Sequence, residues 1–160
     1  MINRRTVLEM IAGGAMAAMR PGAARAGSVS PDVERALSTS DLIYVATQRR
    51  NGTRSAAKPI WFYYDQGKVF FTTSPDSWKA KRIAAGSPLF INVGAADGPA
   101  VRGIAEPVTD PAFIERMGDA YARKYWIAWL GFFKPRSARV TAGKTMAYLV
   151  TLQPAAGAAP

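Results

Sequence analysis

The chain has no cysteine and no histidine among its 160 residues. That excludes disulfides, thiol nucleophiles, zinc-finger spacings, imidazole metal sites, His-ligated haem and any triad with His as base. Acidic residues are also sparse, 11 against 21 lysines and arginines, for a formal net charge of +10. No apolar run approaches the ~20 residues that span a bilayer, so a stable membrane anchor is not expected. What remains for chemistry is carboxylates, Lys, Arg, Tyr, Ser and Thr, or a borrowed cofactor. With 49% apolar and 20% charged residues, the chain is long enough to bury one real core.

The first 26 residues read as an address. Arg4 and Arg5 precede an apolar Ala/Gly/Met-rich stretch from Met10 to Met19, and Ala24-Arg25-Ala26 supplies an A-x-A cleavage site. The arginine pair resembles the twin-arginine export motif, although Asn3 and Glu9 stand where Ser or Thr and Lys are usual. Export to the periplasm or cell exterior is therefore expected, with residues 27–153 as the folded domain and 154–160 as a disordered tail. Loss of the address takes four arginines and one glutamate, and the remainder is still basic.

Within the domain, residues 32–38 read as a short helix and Leu42 to Thr47 as a buried strand. Asn51-Gly52 predicts a type I′ hairpin turn. The return strand is expected over 54–64, a second turn at Asp65-Gln66-Gly67, and a third strand over 68–73. Ser74 is the expected N-cap, with Pro75 at the first position, of a helix reaching about Ala85. Strands follow over 89–93 and 101–108. A longer helix runs from Thr109-Asp110-Pro111 to about Ala128, residues 131–143 are irregular, and a last strand covers 145–153. Six short strands in hairpin order with few helices predict a mainly β fold, a six-stranded barrel.

The stretch from Phe70 to Arg82 carries the clearest chemistry. A strand ending in Thr72 and Thr73 turns into a helix with Ser77 and Lys79 in its first turn, a combination suited to phosphate. Arg82 shares the face of Lys79. Asp76 opposes an anion unless it points outward. A capped helix with a solvated lysine accounts for the same residues equally well.

Together, Lys58-Pro59-Ile60-Trp61-Phe62, the turn at Gly67, Phe71-Thr72-Thr73 and Ser77-Trp78-Lys79 resemble the pyridoxamine 5′-phosphate oxidase-like family. This is the split β-barrel superfamily that includes flavin and deazaflavin oxidoreductases. The likeness covers residues 33–153 in order. It implies an FMN-binding split barrel forming a homodimer with cofactor at the interface. Thr72, Thr73, Ser77, Trp78 and Lys79 would hold the phosphate, and Lys58, Pro59, Ile60 and Trp61 would run along the ring. Trp78 stands where the oxidase proper has Arg, and no substrate-binding His, Arg or Tyr set follows. The implied activity is therefore the broader one, hydride transfer to or from a small organic substrate, with a deazaflavin as the alternative cofactor. A carrier of flavin or tetrapyrrole is the competing reading.

No catalytic side chain is assigned; Tyr125 and Arg123 are the candidates for supplying a proton. Tyr121, Tyr125 and Trp129 recur every four residues and, with Trp126, Phe132 and Phe133, form either core, dimer interface or a lid over the ring. The basic charge fits an anionic cofactor better than nucleic acid, which an exported protein would rarely meet.

Overall fold

A computed structural model describes residues 29–130 and 134–154. The export segment, Phe132 and Phe133, and residues 155–160 lie outside the described residues.

Seven antiparallel strands form one sheet: β1 (Leu42–Thr47), β2 (Lys58–Trp61), β3 (Tyr63–Asp65), β4 (Lys68–Thr73), β5 (Leu89–Val93), β6 (Ala100–Pro107) and β7 (Met146–Gln153). Their order is β2-β1-β5-β6-β7-β4-β3. The two outermost strands are thus consecutive in the chain, separated by Phe62 alone. A sheet whose two edges are one bent segment is a nearly closed barrel, with little open edge to recruit another chain. The mainly β barrel expected from the sequence is what forms. It has seven strands rather than six because the expected 54–64 strand divides, one part pairing with β1 and the other with β4.

Alternation along the strands sorts side chains between two cores. Val69 and Phe71 of β4, with Tyr148, Val150 and Leu152 of β7, point into the barrel beside Ile43, Val45, Leu89 and Ile91. Phe70, Ala147 and the half-buried Leu149 point outward, onto Ile114, Tyr121 and Tyr125. Burying each large side chain contributes about 1.5–3 kcal/mol. Helix α1 (Pro31–Thr39), capped by Ser30, supplies Val33 and Leu37 to the barrel core; α2 (Trp78–Ala84) supplies Ile83. The outer core belongs to α3 (Pro111–Lys124), capped by Asp110.

Four local expectations are corrected. Only Gly52 has positive φ at the first hairpin tip, where a Gly52 N–H to Arg49 carbonyl bond closes a turn inside the Gln48–Arg54 bridge. The two consecutive positive φ values of a type I′ turn occur instead at Gln66 (47°) and Gly67 (76°), between β3 and β4. The cap of α2 is Ser77, not Ser74: the Ser77 hydroxyl accepts from the Ala80 N–H at 3.1 Å. Ser74 belongs to the preceding turn, its carbonyl accepting from Ser77 N–H. Finally, α3 ends at Lys124. Tyr125 is extended, α4 (Trp126–Trp129) is a separate turn, and a short α5 (Ser137–Thr141) occupies the stretch read as irregular.

Candidate functional site

The bend at Phe62 would leave backbone groups without ladder partners in a buried place, and α3 supplies them. Tyr125 Oη accepts from Phe62 N–H (3.0 Å) and lies 2.7 Å from the Phe62 carbonyl and 2.8 Å from that of Asp41. Lys124 Nζ donates to the same Phe62 carbonyl at 3.2 Å and sits 3.6 Å from the centroid of the Phe62 ring. One turn earlier, Tyr121 Oη lies 3.0 Å from the Trp61 carbonyl and 3.3 Å from that of Phe70. Trp61 stacks on Tyr125, centroids 4.5 Å apart and planes 6° from parallel. The last turn of α3 therefore fixes the crossing segment through backbone and ring at once.

Beside this clamp opens a cleft of about 930 Å³. Ile60, Trp61 and Tyr121 form its apolar part. Thr72, Thr73 and Ser74, at the end of β4, bring three hydroxyls. Because Thr73 pairs with Met146, the start of β7 delivers Thr145 and Lys144 to the same end. Arg139 joins them, its Nε donating to Thr145 Oγ1 at 3.3 Å. Lys134 and Arg136 complete the lining cations, and no carboxylate lines the cleft among the described residues. Lys134 is ion-paired with Asp119 at 2.8 Å. Arg136, Arg139 and Lys144 have no carboxylate within ion-pair distance among the described residues.

The structure divides the residues expected to bind cofactor. Ile60, Trp61, Thr72 and Thr73 come together in the cleft. Ser77 adjoins it, its Oγ 3.3 Å from Thr73 Oγ1, while capping its own helix. Lys79 is half-buried with its ammonium 5.8 Å from the Phe71 ring centroid, and burial lowers its pKa to about 8. Trp78 is 70% exposed and lines a different groove with Lys81 and Arg82. Lys58 and Pro59 are exposed on β2, opposite Val45 and Tyr44.

Neither proton-donor candidate faces the cleft. Burial pushes Tyr125 up to about 12, and its hydroxyl is engaged with backbone. Arg123 is exposed and lines a smaller cleft of about 470 Å³ with Asp41, Tyr63 and Lys124. Tyr121 is also pushed well above its ordinary value by burial. The four cleft cations between Lys134 and Lys144 were not singled out from sequence. One signal marks them: no Asp or Glu follows Asp119, while six lysines and arginines do.

No protein-family model matches the sequence, and a search of the curated proteins gives no match. Solved structures do match. A provisionally named pyridoxamine 5′-phosphate oxidase from Listeria innocua superposes with TM-score 0.56 at 11% identity, covering 75% of this chain and 90% of that one. An F420 reductase gives 0.50 at 23% identity over 75% and 92%. The FAD and heme binding protein from Mycobacterium smegmatis gives 0.54 at 21% identity over 81% and 73%. The fold is thus the split β-barrel of the pyridoxamine 5′-phosphate oxidase-like and F420 reductase proteins.

Proposed function

We propose that the chain is an exported oxidoreductase that binds FMN, or a deazaflavin in its place, and acts by hydride transfer on a small organic substrate. The observation that carries this reading is the pairing, in one cleft, of an apolar floor with a phosphate-compatible end. Ile60 and Trp61 offer a surface for a flat ring; Thr73, Ser74, Thr145, Arg139 and Lys144 offer hydroxyl donors and unpaired cations. The volume is in the range that encloses a cofactor-sized ligand. The fit differs from the expected one in where the positive charge comes from: residues 139–144, with Ser77 alongside.

When bound, the cofactor supplies the electron-pair chemistry, which explains a site without His or Cys. The chain's own residues orient and exclude water. Tyr121, Lys124 and Tyr125 hold the Trp61–Phe62 backbone still, so the floor does not shift when a ring lies on it. Arg139 and Lys144 neutralise the phosphate. A homodimer is part of the proposal, supported by the exposed Trp126 and Leu130, which a second copy would cover. Export rests on the Arg4-Arg5 segment.

FMN titration followed by quenching of flavin fluorescence tests the site. The Arg139→Ala/Lys144→Ala double variant is expected to bind at least about tenfold more weakly, two charge-assisted hydrogen bonds being lost. Unchanged affinity would remove this cleft from consideration. A bound flavin that no donor reduces would favour the carrier reading.

A further inference from the structure

A second groove, of about 750 Å³, lies between the tip of the β1–β2 hairpin and the outer side of α2. Its lining includes Arg49, Arg50, Lys81 and Arg82, and no Asp or Glu. None of these four makes an ion pair among the described residues. Four cations converging without a counter-charge repel one another, and an anion relieves that.

Trp78 stands in the same groove, 70% exposed. Lys81 Nζ and the Arg82 guanidinium lie 5.3 and 5.4 Å from its ring centroid. An indole left largely in water beside two cations gives nothing to the core, whereas Ala80 and Ile83 of the same helix are buried. It is placed to stack on a second flat ring whose charged substituent reaches the cations.

Two of the cations are already held. Arg49 Nη1 donates to the Arg54 carbonyl and to Thr53 Oγ1, and Arg82 Nη1 donates to Thr47 Oγ1 at 3.3 Å. Thr47 is buried and is the last residue of β1, so Arg82 is tied to the barrel wall. The hairpin is tied to the far end of α2 by Gln48 N–H donating to Ser87 Oγ at 2.8 Å. The groove's two sides are therefore fixed relative to each other, and Arg50 and Lys81 are left to close on a ligand.

We propose that this groove is a binding site for a nucleoside diphosphate, the base stacked on Trp78 and the phosphates among Arg49, Arg50, Lys81 and Arg82. One exposed ring and four cations lining a single groove match one base and one short phosphate chain rather than a long polymer. The proposal is independent of the cofactor cleft, whose cations come from residues 134–144.

The test is calorimetric titration of the full chain with ADP, adenosine and inorganic pyrophosphate, with FMN present in excess to fill the cleft. ADP is expected to bind best and to weaken as salt rises. Trp78→Ala should weaken ADP by about tenfold and leave pyrophosphate unchanged, because only stacking is removed. Arg50→Ala/Lys81→Ala should weaken ADP and pyrophosphate alike, and both exposed positions can change without unfolding the chain, which circular dichroism checks. The proposal is overturned if ADP fails to bind, if FMN displaces it, or if Trp78→Ala leaves its affinity intact. It is equally overturned if a single-stranded oligonucleotide binds more tightly the longer it is made, for the groove would then be a general polyanion surface.

Discussion

The Tyr125 hydroxyl satisfies both backbone groups of Phe62, accepting from its N–H at 3.0 Å and lying 2.7 Å from its carbonyl. This is the joint at which one strand leaves β1 and joins β4, and so the joint that closes the barrel. Tyr125→Phe keeps the stacked ring on Trp61 but leaves the buried Phe62 N–H without its acceptor. The expected cost is about 2 kcal/mol in urea denaturation. A loss below a few tenths would mean that the barrel closes without the clamp.

Capping separates Ser77 from Ser74. Ser77→Ala removes the acceptor for Ala80 N–H and is expected to cost about 1 kcal/mol, whereas Ser74→Ala should cost appreciably less. Equal losses, measured by thermal unfolding, would return the helix start to Ser74.

Lys79 is expected to cost stability near neutral pH. Burial lowers its pKa from 10.5 to about 8, so its charge is disfavoured in the folded chain. The unfolded chain binds more protons between about pH 8 and 10.5, and stability contributed by this group rises with pH across that window. Lys79→Met should therefore raise stability at neutral pH by about 1 kcal/mol and flatten that rise. Lys79 does not line the cleft, so the same substitution is expected to leave FMN affinity unchanged. A variant that loses FMN affinity would instead place Lys79 against the cofactor.

Gly118 lets the segment carrying Lys134 and Arg136 lie against α3. A Cβ there would run into the Pro135 carbonyl oxygen, and Lys134 Cε would be 3.1 Å away. Gly118→Ala should gain about 1 kcal/mol of helix propensity yet lower net stability, because the backbone contact cannot yield cheaply. FMN binding should weaken with it. A stabilised variant would show that this wall of the cleft is free to move.

Much of this architecture is legible in local sequence. Leu42–Thr47, Lys68–Thr73 and Leu89–Val93 form strands at the predicted residues because each is a short apolar or β-branched run between turn residues. The break at Phe62 is not legible, since its cause is Tyr125, 63 residues away. The type I′ turn falls at Gln66-Gly67 because β3 and β4 pair up to Asp65 and Lys68, leaving two residues to turn, whereas the Asn51-Gly52 tip lies beyond the longer Gln48–Arg54 bridge. Of the site, Thr72 and Thr73 were readable from their place at a strand end. Trp78 was read as part of the cofactor site because adjacency in sequence hides that α2 turns its ring to another groove. The cleft cations are not legible, since Arg139 sits in a five-residue helix with no periodicity to detect and Lys134, Arg136 and Lys144 lie in the irregular segments on either side of it.

The central claim is that this barrel holds a flavin-type cofactor in the Ile60–Thr73–Lys144 cleft. Its most direct test is the visible absorption spectrum of the purified protein without its export segment, residues 27–160, before and after FMN is added and the excess removed. The account predicts a retained flavin spectrum, which the Arg139→Ala/Lys144→Ala variant loses; the single band of a deazaflavin would keep the site and change the cofactor. A colourless protein that retains neither FMN nor a deazaflavin would contradict it.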